Sequence, residues 1–237
     1  MKSDEHLLSH ATMRDELVSA YSVGLSAPPT WNRISDHAFL GTHLIERSIA
    51  MLSGELNGAL IDVGCGAQPY RQYFTHVEHY TACDIDAKRG PVDIVSPAHD
   101  IPAGDNTFDC ILCTEVLEHV PHPSRVWMEF YRLLRPGGRV LITTPMYWPS
   151  HEQPYDFHRF PAHGLLLYAQ EARFSVSRLI PRGGMWALLG QVFIHVAGHH
   201  LRLPAVRYAF NKLCLSVDRA RANPSATIGW TVLAERC

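Results

Sequence analysis

The chain has 237 residues, 46% apolar and 19% charged, with a net charge of −2. That length suits one α/β domain with a real core plus an appended piece, and the charge balance excludes a global basic footprint for nucleic acid. Six cysteines (65, 83, 110, 113, 214 and 237) form no disulfide-like framework, the N-terminus "MKSDEHLLSHATM" is unlike a signal peptide, and no stretch approaches a spanning helix, so the expected location is the cytoplasm.

Residues 4–21 carry apolar positions at Leu7, Leu8, Ala11, Leu17, Val18 and Tyr21, which predicts an amphipathic helix that "SAPPTW" ends. A second helical pattern runs over 36–53, and "NG" at 57–58 turns the chain into a strand, Ala59–Val63. "HYTACDID" predicts a strand ending at Asp84, "VDIV" a short third, and Phe108–Cys113 a buried fourth. "PSRVWMEFYRLL" predicts a helix with Pro123 near its start and Val126, Trp127, Phe130, Leu133 and Leu134 on one side. "RPGG" is a turn, Arg139–Thr144 the next strand, and "ARFSVSRLI" and Thr227–Glu235 two late strands. This alternation implies an α/β fold, a mainly parallel sheet with helices on both faces and a ligand at the carboxyl ends of the strands. Cys110 and Cys113 are three apart on a strand and point to opposite faces, which disfavours a joint metal or redox role.

In "LIDVGCGAQPY" the glycines 64 and 66 follow a strand directly, as a nucleotide-binding turn requires. A dinucleotide fingerprint needs a third glycine where Pro69 stands, which argues against NAD and FAD. Asp84, twenty residues after Gly64, stands where a carboxylate accepts from both ribose hydroxyls, so the two glycines, a helix start and the acid favour an adenosine-type ligand over a plain structural turn.

"IDVGCG", "CDID", "NTFDCILCTEVLEHV" and "RLLRPGGRVLITTP" resemble, in order, the motifs of class I S-adenosylmethionine-dependent methyltransferases, and "GCGAQPYRQYF" and "HEQPYDFHRFPAHGL" resemble a methyltransferase-11-like bacterial subgroup. The resemblance implies a Rossmann-like fold, a seven-stranded, mostly parallel sheet over 58–181 and 222–237; the residue patterns outside it predict an N-terminal helical segment 1–57 and a C-terminal helical lid insertion 182–221. It implies S-adenosylmethionine as cofactor, with S-adenosylhomocysteine as product. Asp62 and the backbone at Gly64 and Gly66 take its methionine end, Asp84 its ribose and Ile85 its adenine. Tyr70 belongs to the same site, and Thr114 and Glu115 face the methyl region. The family's usual adenine-binding acid is replaced by Pro97, which leaves Ala98 and His99 to contact the base.

Methyl transfer is an in-line displacement, so alignment of donor and acceptor does most of the work and a base assists a hydroxyl or amine acceptor. His119, His151 and His158 are the candidate bases. Glu115, Glu118 and His119 at i, i+3 and i+4 share a face if helical, and the E-x-x-E-H string resembles the metal site of small-RNA 3′-end and ubiquinone-pathway O-methyltransferases, which implies Mg2+ or Mn2+ and a further downstream His as ligand, for which His151 and His158 are the counterparts. The same string also occurs in methyltransferases that use no metal. In "HEQPYDFHRF", His151, Asp156, His158 and Arg159 are either acceptor contacts or ties that order the loop.

Met185, Leu188, Leu189, Val192, Phe193 and Val196 form one helical stripe, and Val206, Ala209, Phe210, Leu213 and Val217 a second. Six basic residues against Asp218 make 182–221 about +5 and the rest about −7. This pair is expected to pack on the sheet, cover the acceptor, form a homodimer contact or rest on a membrane surface. The expected partner is a small-molecule, glycan or lipid-linked acceptor, with nucleic acid disfavoured. The expected function is methyl transfer to oxygen or nitrogen of such an intermediate. The alternatives are a metal-assisted O-methyltransferase and a non-catalytic cofactor-binding partner subunit.

Overall fold

The computed structural model describes residues 35–88, 90–197, 203–221, 223 and 226–237; the helix expected over 4–21 and Arg202 of the basic segment lie outside them. Among the described residues the chain runs α1 (Phe39–Leu52), β1 (Ala59–Val63), β2 (His79–Asp84), β3 (Ile94–Val95), β4 (Phe108–Thr114), α2 (Pro123–Leu133), β5 (Leu134–Pro145), α3 (Ala162–Glu171), β6 (Phe174–Arg182), α4 (Met185–Ala197), α5 (Pro204–Ala220) and β7 (Gly229–Arg236).

The seven strands form one Rossmann-like sheet in the order β3-β2-β1-β4-β5-β7-β6. β1 to β5 pair in parallel, and β7 inserts antiparallel between β5 and β6. The chain order reverses between β1 and β4, which opens a crevice at their carboxyl ends.

β4 shows why both faces are covered. Ile111 and Cys113 sit in a cluster with Trp127, Phe130 and Leu133 of α2, while Cys110 and Leu112 sit in another with Ile45, Ile49 and Leu52 of α1. The two cysteines thus occupy opposite faces, as period-two alternation requires. Pro123 opens α2, where a missing N–H costs nothing, and the side with Val126, Trp127, Phe130 and Leu133 is buried. Trp127 meets Phe174 of β6 edge to face at 5.4 Å.

Three local features differ from the sequence reading. No α-helix starts after Gly66; the segment turns instead through a short 3-10 helix at Arg71–Tyr73, and α1, which precedes β1, covers that face of the sheet. "RPGG" lies within β5, where the ladder slips between Leu134 and Arg139 around Gly137, a residue with φ of 76°. The buried positions of α4 are Ala187, Gly190, Gln191 and Ile194, so the expected stripe is rotated: Leu189, Phe193 and Val196 face outward. Gly190 sets this rotation, because a methyl group there would lie 2.6 Å from Cys214 Sγ of α5.

Candidate functional site

At the carboxyl ends of β1, β2 and β4 lies a cavity of about 530 Å3, within the range of small-molecule sites. Gly64 and Gly66 both adopt positive φ, 73° and 50°. A methyl group on Gly64 would lie 2.2 Å from Val116 Cγ2, whereas one on Gly66 would project into open space, so the turn leaves a cradle that any side chain would fill. The Asp84 carboxylate braces it, accepting from the Gly66 N–H at 2.9 Å and the Asp86 N–H at 3.0 Å. Carboxylate oxygens accept more than one hydrogen bond, so Asp84 retains capacity toward the cavity it lines. Ile85, 71% exposed, offers an apolar surface to the cavity, which Ser96, Pro97, Ala98 and His99 also line.

Asp62 lies beneath the turn, 1% exposed. One of its oxygens accepts from the Tyr80 hydroxyl, and Oδ1 has no partner. Burial pushes its carboxyl up to about 7, with the Tyr80 hydrogen bond opposing the rise and the Asp84 charge adding to it.

A second chamber of about 230 Å3 adjoins the first. Its walls come from α1 (Gly41, Thr42, Ile45), Tyr70, Trp148, His151, Arg182 and Ile228, with Glu118 on its surface, and Glu115 lines both spaces. Glu115 has φ of 52°, a left-handed backbone that costs a side-chain-bearing residue about 1–3 kcal/mol and persists only when its surroundings hold it. Its N–H donates to Thr143 O at 3.1 Å, and Arg182 grips its carboxylate at 2.9 Å. Arg182, 3% exposed at the end of β6, also donates to Thr144 O at 2.6 Å. Gly229 makes room for it: a methyl group there would lie 2.0 Å from the guanidinium.

Glu118 and His119 sit in a 3-10 turn, Leu117–His119, that Glu115 precedes. The three residues therefore share no helical face, and Glu115 is held by Arg182 instead. The grouping the structure makes is Glu118, His119 and His151, whose ligand atoms lie within 4.8 Å of one another. Glu118 is 1% exposed and neither carboxylate oxygen has a hydrogen-bond partner. Burial, reinforced by the Glu115 charge, holds its carboxyl well above the usual range.

The imidazole tautomers follow from their partners. His119 Nδ1 lies 2.7 Å from Tyr155 O and His151 Nδ1 3.1 Å from Pro149 O. A carbonyl only accepts, so each Nδ1 donates, and in the neutral ring each Nε2 keeps its lone pair. The two rings meet at 4.7 Å. His158 is turned elsewhere, its Nε2 donating to Pro121 O at 3.3 Å.

The loop after β5 sets these positions. The Phe157 and His158 N–H groups donate to Glu118 O. Arg159 binds Asp156 through both oxygens, at 2.6 and 3.0 Å, and reaches Trp148 O, Pro149 O and His158 O. That pairing holds the Asp156 carboxyl far below the usual carboxylate range. Asp156 and Arg159 thus order the loop.

Of the cofactor residues expected from the sequence, Gly64, Asp84, Ile85, Ala98, His99 and Glu115 line the larger cavity. Gly66 and Asp62 form its cradle and base, Thr114 ends β4 beside it, and Tyr70 belongs to the second chamber. Tyr70 packs against the cluster that holds Ile45 and Ile49 of α1, just before the short 3-10 helix that stands where the sequence predicts a helix start. Arg182 falls with the basic segment in the sequence, two residues beyond the expected strand, whereas the structure extends β6 to include it.

A protein-family model described as "Methyltransferase domain" matches residues 61–142, the stretch that contains the glycine turn, Asp84, Glu115, Glu118 and His119. Over those residues this chain carries a methyltransferase domain, and its sheet has the Rossmann-like class I methyltransferase fold. The ubiquinone biosynthesis O-methyltransferase of Pseudomonas putida (strain W619) is 31% identical to it over 102 residues, 36% of this chain and 43% of that protein. The chain thus matches less than half the length of such curated relatives. Among solved structures, an S-adenosylmethionine-dependent methyltransferase from Mesorhizobium loti superposes with a TM-score of 0.54 at 16% identity, covering 83% of this chain and 100% of that one. A geranyl diphosphate methyltransferase in complex with SAM gives 0.56 at 15%, covering 89% and 96%. The [4+2]-cyclase SpnF gives 0.56 at 19%, covering 94% of both. The methyltransferase fold is common to all three. The last carries a cyclase, so the fold by itself does not select the reaction.

Proposed function

We propose that this chain transfers a methyl group from S-adenosylmethionine to an oxygen or nitrogen of a small molecule, or of the small head of a glycan or lipid-linked intermediate. One observation carries this reading: a cavity built around a glycine cradle meets a second chamber at Glu115, with two imidazole Nε2 lone pairs beside the junction.

The chain's residues fit the donor. The open cradle at Gly66 and the unpartnered Asp62 Oδ1 suit its amino-acid end, Asp84 the ribose hydroxyls and Ile85 the adenine face. When bound, the donor supplies an electrophilic methyl group on a sulfonium. The chamber, at about 230 Å3, falls below the usual range for ligand sites and so favours a compact reacting end. Glu118 supplies a buried carboxyl with no hydrogen-bond partner on either oxygen, which suits bonding to an acceptor O–H or N–H. His119, with Nδ1 anchored on Tyr155 O, presents Nε2 as the proton acceptor, and His151 stands second. Calorimetry with S-adenosylhomocysteine tests the donor half. Release of S-adenosylhomocysteine from S-adenosylmethionine, measured across a panel of small hydroxyl and amine acceptors, tests transfer. Binding without release for any acceptor would reduce the chain to a cofactor-binding subunit.

A second reading is a divalent cation at Glu118, His119 and His151 that assists transfer to a hydroxyl. Their ligand atoms cluster within 4.8 Å, with His119 Nε2 3.9 Å from Glu118 Oε1, and neither Glu118 oxygen has a hydrogen-bond partner. Adding Mg2+ or Mn2+ to chelator-treated protein decides between the readings: turnover that does not change discards the cation.

A further inference from the structure

We infer that the outward face of the α4–α5 hairpin is a docking surface for an anionic lipid bilayer. The two helices are mounted firmly from behind. Ala187, Ile194 and Leu215 pack with Phe39, Leu40 and Leu44 of α1. Asp218 of α5 accepts from the N–H groups of Gly184, Trp186 and Ala187, and so caps the start of α4. The opposite side carries apolar groups with no cover among the described residues. Leu189, Phe193 and Val196 recur at helical spacing on α4, and Leu203, Val206 and Leu213 stand at and along α5, with Val196 77% and Leu203 68% exposed. Phe193 and Phe210 join the two rows at 5.1 Å. Contiguous exposed apolar surface of this kind marks an interaction site.

Charge selects the occupant. Asp218, the acid of 203–221, is 2% exposed and faces inward, whereas Lys212, Arg219 and Arg221 are exposed and Arg207 is half-buried. An apolar helical face flanked by cations alone suits the headgroup boundary of a bilayer bearing negative charge. A second copy docked face to face would bring these cations against one another. No described helix is long and apolar enough to cross a membrane, so the contact is with the surface. The inference is independent of methyl transfer.

Vesicle flotation of the full chain tests it, with phosphatidylglycerol-containing vesicles set against pure phosphatidylcholine. The expected result is flotation with the anionic vesicles alone, lost at high salt. Val196→Asp and Leu203→Asp are expected to abolish it while leaving the thermal melt unchanged, since both sites are exposed. Lys212→Glu is expected to weaken binding by about tenfold or more. No flotation with anionic vesicles, or equal flotation of Val196→Asp, would overturn the inference. So would a concentration-dependent dimer that Val196→Asp dissolves, because a second copy would then be the occupant.

Discussion

The two adjoining cavities are built by different means. One half of the larger one is built of short local segments: the turn at Gly64–Gly66, the end of β2 at Asp84 and the stretch Ser96–His99, each confined to a few consecutive residues; Glu115, Val116 and His119 and the loop residues Glu152, Tyr155 and Phe157 close the other half. The smaller one is made of side chains from distant segments, with Gly41, Tyr70, Trp148 and Arg182 converging from α1, the segment after β1, the loop after β5 and the end of β6. A backbone cradle has one tolerated chemistry, whereas a side-chain chamber can be repacked. The first is therefore expected to fix the donor and the second to fix the acceptor.

That division can be broken by substitution. Gly64→Ala combines a left-handed φ with a 2.2 Å approach to Val116. The variant is expected to lose at least about 100-fold in S-adenosylhomocysteine affinity by calorimetry, from strain of a few kcal/mol. Donor binding that survives would show that the cradle is not the donor site. Arg182→Met in the chamber leaves Glu115 and Thr144 O without their buried partner. It is expected to lower unfolding stability by about 3 kcal/mol in urea, with donor affinity changed by about twofold or less once folded. A large loss of donor affinity would merge the two regions into one.

A gentler probe is pH. The Asp62 carboxyl stands at about 7 in the folded chain, above the ordinary carboxylate value. The folded chain without donor therefore holds a proton that the unfolded chain has lost, and its stability falls as pH rises from about 4 to about 7. A cationic amino group at Asp62 favours the carboxylate, so S-adenosylhomocysteine affinity is expected to rise about tenfold from about pH 6 to about pH 8 and to level off above. Asp62→Asn is expected to flatten the profile; an unchanged slope would place the amino group elsewhere. The smallest effect is expected for His158→Ala. Its ring hydrogen-bonds Pro121 O away from the His119–His151 pair, so turnover is expected to stay within about threefold. A collapse of turnover would return His158 to the candidate bases.

The same contrast explains what the sequence disclosed. Strands β1, β2 and β4, helix α2, the glycine turn and Asp84 were legible because each depends on residues close in sequence: period-two or helical spacing, a proline at N1, paired glycines after a strand. Glu115 and Arg182 pair across 67 residues, a distance no local pattern encodes. The expected helical face of Glu115, Glu118 and His119 failed because Glu115 turns left-handed before the 3-10 turn begins. The stripe on α4 was misplaced because hydrophobicity alone cannot tell a buried face from an outward one; small residues at Ala187 and Gly190 set the inner side by allowing α1 and α5 to approach.

The most direct test of the account is a crystal structure with S-adenosylhomocysteine bound. The expected result is the amino-acid end at Gly64–Gly66, the ribose on Asp84, the adenine against Ile85 and the sulfur directed toward Glu115 and His119. Density for the ligand outside this cavity, or none at saturating concentration, would contradict it.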